Sequence, residues 1–217
     1  MAEKKRIKNK TEYILLLILV TIGMVYQWRM QERSLYLQQQ IADKVLRFHV
    51  LANSDSDEDQ NLKLLVRDAV GGYVQQLFEA EEADLSLADC EKILQQHMTE
   101  IEKVAEAVVA ENGYTYDVQT KIEETEFPRK DYGKYSFPEG TYRALRVVIG
   151  EGKGHNWWCV MYPNMCFSNT IYELPTEEAE EELKKVLSEE EMAEILESGN
   201  YEIHFRFAEW FFGDKKQ

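Results

Sequence analysis

Positive charge is scarce along most of this chain. Only 25 lysines and arginines stand against 40 aspartates and glutamates, and five of those basic residues, Lys4, Lys5, Arg6, Lys8 and Lys10, fall within the first ten positions. Residues 11–217 therefore hold 20 basic and 39 acidic side chains, a net of −19. A body this acidic is repelled by phosphate backbones and by anionic lipid or wall polymer, which argues against any nucleic-acid partner. Histidine is scarcer still: His49, His97, His155 and His204 share no metal-ligand spacing, and no His-Glu-x-x-His is present. No Gly-x-Ser-x-Gly elbow occurs either, so neither a metal, a cofactor nor a serine nucleophile is expected. Three cysteines permit at most one disulfide. There is no internal repeat, and the acidic runs are the nearest thing to low complexity.

What the chain does have begins at its amino terminus. After the basic cluster, residues 13–26 form an uncharged apolar run broken only by Thr21 and Gly23. A basic flank before an apolar core is the pattern of a signal sequence. A full membrane span wants roughly 20 apolar residues, with about 17 tolerated, and counting Trp28 as an interfacial anchor this segment is borderline. No Ala-x-Ala-like cleavage site follows. Because basic residues stay on the cytoplasmic side, everything after Arg29 is expected across the membrane. The chain divides accordingly into a signal sequence or signal anchor (1–28), a Gln-rich juxtamembrane helix or stalk (29–44), one domain (45–212) and a short tail (213–217).

Residues 45–52 are apolar and short enough for a strand. Asn53-Ser54-Asp55-Ser56-Asp57 ends it, because short polar side chains bond nearby backbone and favour turns. Ser56 with Asp59 resembles a capping box, and Leu62, Val66, Ala69, Val70, Tyr73, Val74 and Leu77 then recur at helical spacing. Gly71-Gly72 weakens that helix by about 1 kcal/mol per glycine. Ser86 with Asp89 opens a second helix reaching Asn112-Gly113, with Cys90 on its apolar stripe as a buried free thiol. Residues 114–123 alternate as a strand with one wet face. Further strands follow at 141–149 and 157–162, with a hairpin turn between them. A helix at 176–197 and a strand at 201–207 complete the order. The expected fold is α+β, with helices on one face of a mainly antiparallel sheet.

Three sets of residues invite a chemical reading. Asp55-Ser-Asp57-Glu-Asp59 resembles half a calcium loop, but such a loop wants glycine sixth and glutamate twelfth, where this chain has Gln60 and Val66. Gly150-Glu-Gly-Lys-Gly lacks the following helix that a phosphate cradle requires. Cys159 with His49 or His204 is a conceivable nucleophile and base, yet a cysteine between Trp and Val in a strand is more often structural. Its other role is a disulfide. If residues 161–164 form a four-residue hairpin loop, Cys159 and Cys166 lie directly opposite and can bridge; a two-residue Pro163-Asn164 turn sets them diagonally, too far apart.

Arg47-Phe48-His49-Val50, Ala52-Asn53-Ser54-Asp55, Asp59-Gln60, Leu62-Lys63 and Val66-Arg67-Asp68 resemble the signature of the stage II sporulation protein R family of endospore-forming bacteria. The likeness continues at residues 144–150 and 156–160 and covers most of 41–212. The resemblance implies a protein made in the forespore and exported into the space between the two membranes. There it would activate a membrane-embedded aspartic protease that removes the pro-sequence from the sigma-E precursor, acting as a ligand and not as a catalyst. On that reading the candidate partner contacts are His49, Asn53, Asp55, Asp59, Arg67 and Asp68, with the aromatic groups Trp157, Trp158 and Trp210-Phe211-Phe212. An exported hydrolase using Cys159 and His49, or a passive linker between the membranes, are the alternatives.

Overall fold

The apolar run after Val45 becomes strand β1, Leu46–Leu51, with all six residues buried. The computed structural model describes residues 2–81, 84–165 and 177–197, and β1 lies inside its main sheet. On one side β1 runs parallel to β5 (Gly140–Ile149), and on the other it pairs antiparallel with β6 (Asn156–Tyr162). Strand β2 (Val118–Phe127) adds antiparallel to β5, so two of the three pairings are antiparallel, in the order β2-β5-β1-β6. The parallel pair demands a long crossover. It is supplied by α2 (Asp57–Glu79), α3 (Leu87–Gln96), α4 (Met98–Glu111) and β2. The α+β class expected from the sequence is the class observed.

Alternation along the strands sends side chains to two different cores. Phe48, Val50, Leu145, Val147 and Met161 face α2, α3 and α4, meeting Val66, Val70, Leu94, Ile101 and Ala105. This is the helical layer the sequence predicts. The opposite face is covered too. Ala144, Tyr142, Val160 and Phe127 meet Ile41 and Ala42 at the end of α1 (Ala2–Ala42). The same core takes Tyr135 and Phe137 from a small hairpin, β3 (Lys130–Tyr132) and β4 (Tyr135–Phe137). It also takes Leu183 from α5 (Glu177–Val186) and Ile195 from α6 (Glu189–Glu197). The β2–β5 ribbon curls over this face: Phe127 pairs with Gly140 near one edge, yet its ring stands 4.5 Å from that of Trp158 on the opposite edge strand.

Local chemistry explains most of the element ends. Ser56 caps α2 by accepting the Asp59 N–H at 3.2 Å. Ser86 and Asp89 form the reciprocal capping box at the start of α3, and Ser188 with Glu191 exchanges bonds in the same way before α6. Two of the expected helices prove divided, at His97 and at Leu187-Ser188. Strand β2 begins at Val118 and not at Tyr114, because β5 stops at Ile149, where the Gly150 N–H turns back to the Asp117 carbonyl.

The order of strands corrects another expectation. Strands β5 and β6 are not a hairpin, since β1 lies between them. The 150–155 loop crosses the end of β1 and is fixed there, with the Lys153 and Gly154 amides donating to the carbonyls of Asn53 and Ala52 at 3.2 and 3.0 Å.

Helix α1 has two environments. From Tyr13 to Trp28 its apolar side chains have no cover from the domain, being 44–66% exposed, and the segment 12–42 is long and apolar enough to cross a membrane. Its last turns are different: Leu37, Ile41 and Ala42 are buried, the last two in the second core. The stalk and the domain are therefore one packed unit from Leu37 onward.

Candidate partner-binding surface

The polar turn after β1 works inward. Asp59, nearly buried, accepts from Asn53 Nδ2 at 2.8 Å and from Ser54 Oγ at 2.5 Å. Burial alone raises the Asp59 pKa, but these donors with Tyr116 outweigh it and hold the carboxyl below its ordinary value. Asn53 Oδ1 in turn accepts the Glu151 N–H at 3.0 Å, and its carbonyl the Lys153 N–H. The glycines of the 150–155 loop exist for this approach. A Cβ on Gly150, whose φ is +58°, would meet the Asn53 side chain, and one on Gly154 would meet the Ser54 carbonyl. The loop that resembles a phosphate cradle is thus a clamp on the β1–α2 turn.

The next turn of α2 is also used inside. Lys63 and Arg67 are 6% and 5% exposed. Lys63 Nζ donates to Gln60 Oε1 at 2.5 Å and to the His155 carbonyl at 3.0 Å. Arg67 lies over the Trp157 ring at 5.0 Å and pairs with Asp68 at 2.6 Å. The Trp157 contact takes Arg67 out of solvent, while the Asp68 carboxylate beside it stays exposed. Of the polar candidates, Asp55 and Asp68 present exposed carboxylates, with Asp55 bonded to the exposed ring of His155 at 2.5 Å. Asp55, Asp57 and Asp59 do not converge on a cation: among the described residues no group of three or more His, Cys, Asp or Glu is placed to hold a metal.

His49 faces the second core. Its ring stacks on Trp158 at 3.7 Å and 19° and touches Phe127 at 5.7 Å. It is 4% exposed, and among the described residues neither ring nitrogen makes a hydrogen bond of good geometry. Burial, with the Arg146 cation next, pushes its pKa down to about 3 against a smaller upward pull from the Asn156 side chain, so the ring is neutral at physiological pH. Two residues earlier Arg47 is fully buried, with no ion pair to it among the described residues. Its Nε donates to the Cys159 carbonyl at 3.0 Å and its Nη2 to Tyr132 Oη at 3.1 Å. Phe127, Tyr142 and Phe137 surround the guanidinium at 4.4, 4.9 and 5.4 Å. In the sequence, a lone cation in an apolar strand is the one signal of the Arg47 site.

This geometry bears on catalysis. Phe48 pairs with Cys159, and the Cys159 side chain belongs to the first core while His49 belongs to the second. The two lie on opposite faces of the sheet and form no nucleophile–base pair. Cys159 is moreover disulfide-bonded, whereas Cys90 is a buried free thiol whose pKa burial pushes up to about 12. The Met165 N–H donates to the Val160 carbonyl at 3.3 Å, the bond a four-residue 161–164 loop makes. Cys166, Trp210 with Phe211 and Phe212, His204 and the expected strand 201–207 lie outside the described residues.

The outward surface of the second core is a groove. Leu35 and Gln38 of α1 line it with Phe127, Pro128, Asn156 and Trp158, and Glu126 and Glu139 supply its charge. Trp157 and Trp158 are both half-buried, Trp157 against Phe48 and Arg67, Trp158 against His49 and the groove.

The polar network is spent on holding the domain's own loops, and the class the structure defines is an α+β domain preceded by an apolar helix long enough to be a signal or membrane segment. Comparison with known proteins gives the particular family. The model of the stage II sporulation protein R family matches residues 42–172. Stage II sporulation protein R of Bacillus subtilis (strain 168) is 32% identical over 189 residues, which cover 78% of this chain and 81% of that protein. The chain belongs to the stage II sporulation protein R family. No solved structure matches it.

Proposed function

We propose that this protein is an exported signal of sporulation that switches on the membrane-embedded aspartic protease processing the sigma-E precursor. The domain acts as a ligand: it binds the protease from the space between the forespore and mother-cell membranes and favours the protease's active arrangement. The observation that carries this reading is the union, in a member of this family, of an apolar N-terminal helix with a domain that turns its candidate catalytic pair to opposite faces of one sheet. A ligand shifts an equilibrium only by binding one state better, and tenfold activation requires about 1.4 kcal/mol of preference. The acidic body supports a protein partner over wall polymer or lipid, since both of those repel it.

The test is reconstitution in a host that does not sporulate. Co-expressing this protein, the protease and the precursor is expected to yield cleaved precursor. Omitting this protein, or replacing the catalytic aspartates of the protease, is expected to leave the precursor intact. Cleavage that proceeds equally without this protein would defeat the proposal.

A further inference from the structure

We infer that the outer edge of β2 receives an extended, basic segment of the protein partner, which adds to the sheet as a further strand. This inference rests on the function proposed above and adds to it the edge engaged and the kind of segment. The ladder fixes which backbone groups are free. The Asp117 carbonyl accepts the Gly150 N–H at 2.8 Å and so continues the β2–β5 register; odd-numbered residues of β2 bond β5, and even-numbered ones point away. Near the start of the strand one outward amide is capped, since the Thr120 N–H and hydroxyl both donate to Glu102 Oε2 of α4 at 3.0 Å. Beyond it the edge is open. Strand β2 ends the sheet, and among the described residues nothing bonds the outward backbone groups of Ile122, Glu124 and Glu126. Each offers one donor and one acceptor, over about 13 Å at strand rise. Strand addition is how extended peptides use such an edge.

Charge and shape define the segment further. Glu102, Glu124, Glu126 and Glu139 stand along the edge and the groove at its end with no ion pair among the described residues, whereas Glu123 is held by Arg146 at 2.8 Å. Lys121 is the one basic side chain of the strand. The free field is negative, so the matching segment is basic. A second copy of this chain would bring the same strand, with one lysine and three glutamates over residues 121–126, so like charges oppose that pairing. The open edge also leads into the groove beside Trp158. Glu126 belongs to both, and Phe127 and Pro128 continue into the groove wall with Leu35 and Trp158. A segment paired along Ile122–Glu126 therefore delivers an apolar side chain to Leu35, Phe127 and Trp158 at its end. Helix α1 meets this site through Leu35 and Gln38, past its uncovered apolar stretch Tyr13–Trp28, so a segment held by the opposite membrane reaches it from the space between.

The experiment uses the full chain co-expressed with protease and precursor. Because the amide of residue 124 points away from β5, Glu124→Pro removes an outward donor and leaves the β2–β5 ladder in place. It is expected to lower precursor cleavage about tenfold, while Glu124→Gln, which keeps the amide, is expected to lower it about threefold or less. A photo-crosslinking residue in place of Glu124 is expected to reach the protease, and one in place of Leu65, exposed on α2, is not. Cleavage unchanged by Glu124→Pro in a protein that melts like the wild type would overturn the inference, as would equal losses from the proline and glutamine variants. Crosslinks from position 124 only to a second copy of this chain, or equal crosslinks from 124 and 65, would overturn it too. If the proline variant fails to fold, the crosslinks decide. Activation by the wild type without protease crosslinks from 124 sinks this inference alone; absence of activation by the wild type sinks the proposed function and this with it.

Discussion

At the scale of single residues, the most informative group is His49. Its pKa stands at about 3 in the folded chain against an ordinary 6.5. The unfolded chain therefore binds one proton more between those values, and stability is lost as pH falls through that window by up to about 1.4 kcal/mol per pH unit. His49→Phe keeps the stack on Trp158 and removes the titration. Denaturation of the detergent-solubilised protein at pH 7 and at pH 5 is expected to show a shallower loss for the variant. An unchanged slope would mean that the ring is not buried neutral. The glycines give a contrast of sign. Gly154→Ala forces a methyl into the Ser54 carbonyl and is expected to destabilise by about 3 kcal/mol. Gly72→Ala, with nothing within 4 Å of its new carbon, is expected to stabilise by about 1 kcal/mol. Thermal melting separates the two.

At the scale of elements, α1 and α6 hold one another on the second face. Lys44 Nζ bonds both oxygens of the buried Glu191 carboxylate at 2.8 and 2.7 Å. Burial raises the Glu191 pKa, but Lys44 and the Ser188 amide outweigh it and set it below its ordinary 4.5. The stability this confers is present above pH 4.5 and lost as pH falls below it. Glu191→Gln is expected to cost about 1–2 kcal/mol at neutral pH and nothing measurable once the wild-type carboxylate is protonated. Ile41→Ala, in the same interface, is expected to cost about 3 kcal/mol, while Leu35→Ala, exposed two turns earlier, stays within about 0.5 kcal/mol. Equal losses at Ile41 and Leu35 would show that the stalk does not dock.

This is also the scale at which sequence and structure part. Caps and alternation are local, so Ser56, the Ser86–Asp89 box, β1, β5 and β6 were all legible. Strand partnership is not local: nothing in residues 141–162 announces that β1 inserts between β5 and β6, so a hairpin was the natural reading. The break at His97 carries no glycine or proline to mark it. For the surface, the aromatic candidate Trp158 stands at the groove, whereas Asn53, Asp59 and Arg67 turned inward because short polar side chains bind backbone as readily as they bind partners.

At the scale of the whole molecule, the acidic body and the apolar N-terminal helix support the proposed ligand delivered across a membrane. Along α1 about 14 Å of helix separates Trp28 from the first buried side chain after it, Leu37. The central claim is that delivery across the membrane makes the signal. The most direct measurement compares two forms of this protein in the reconstituted host, one with its own residues 1–28 and one lacking them and retained in the cytoplasm at equal abundance. Cleavage of the sigma-E precursor with the exported form alone is the result predicted here, and equal cleavage with the retained form would contradict it.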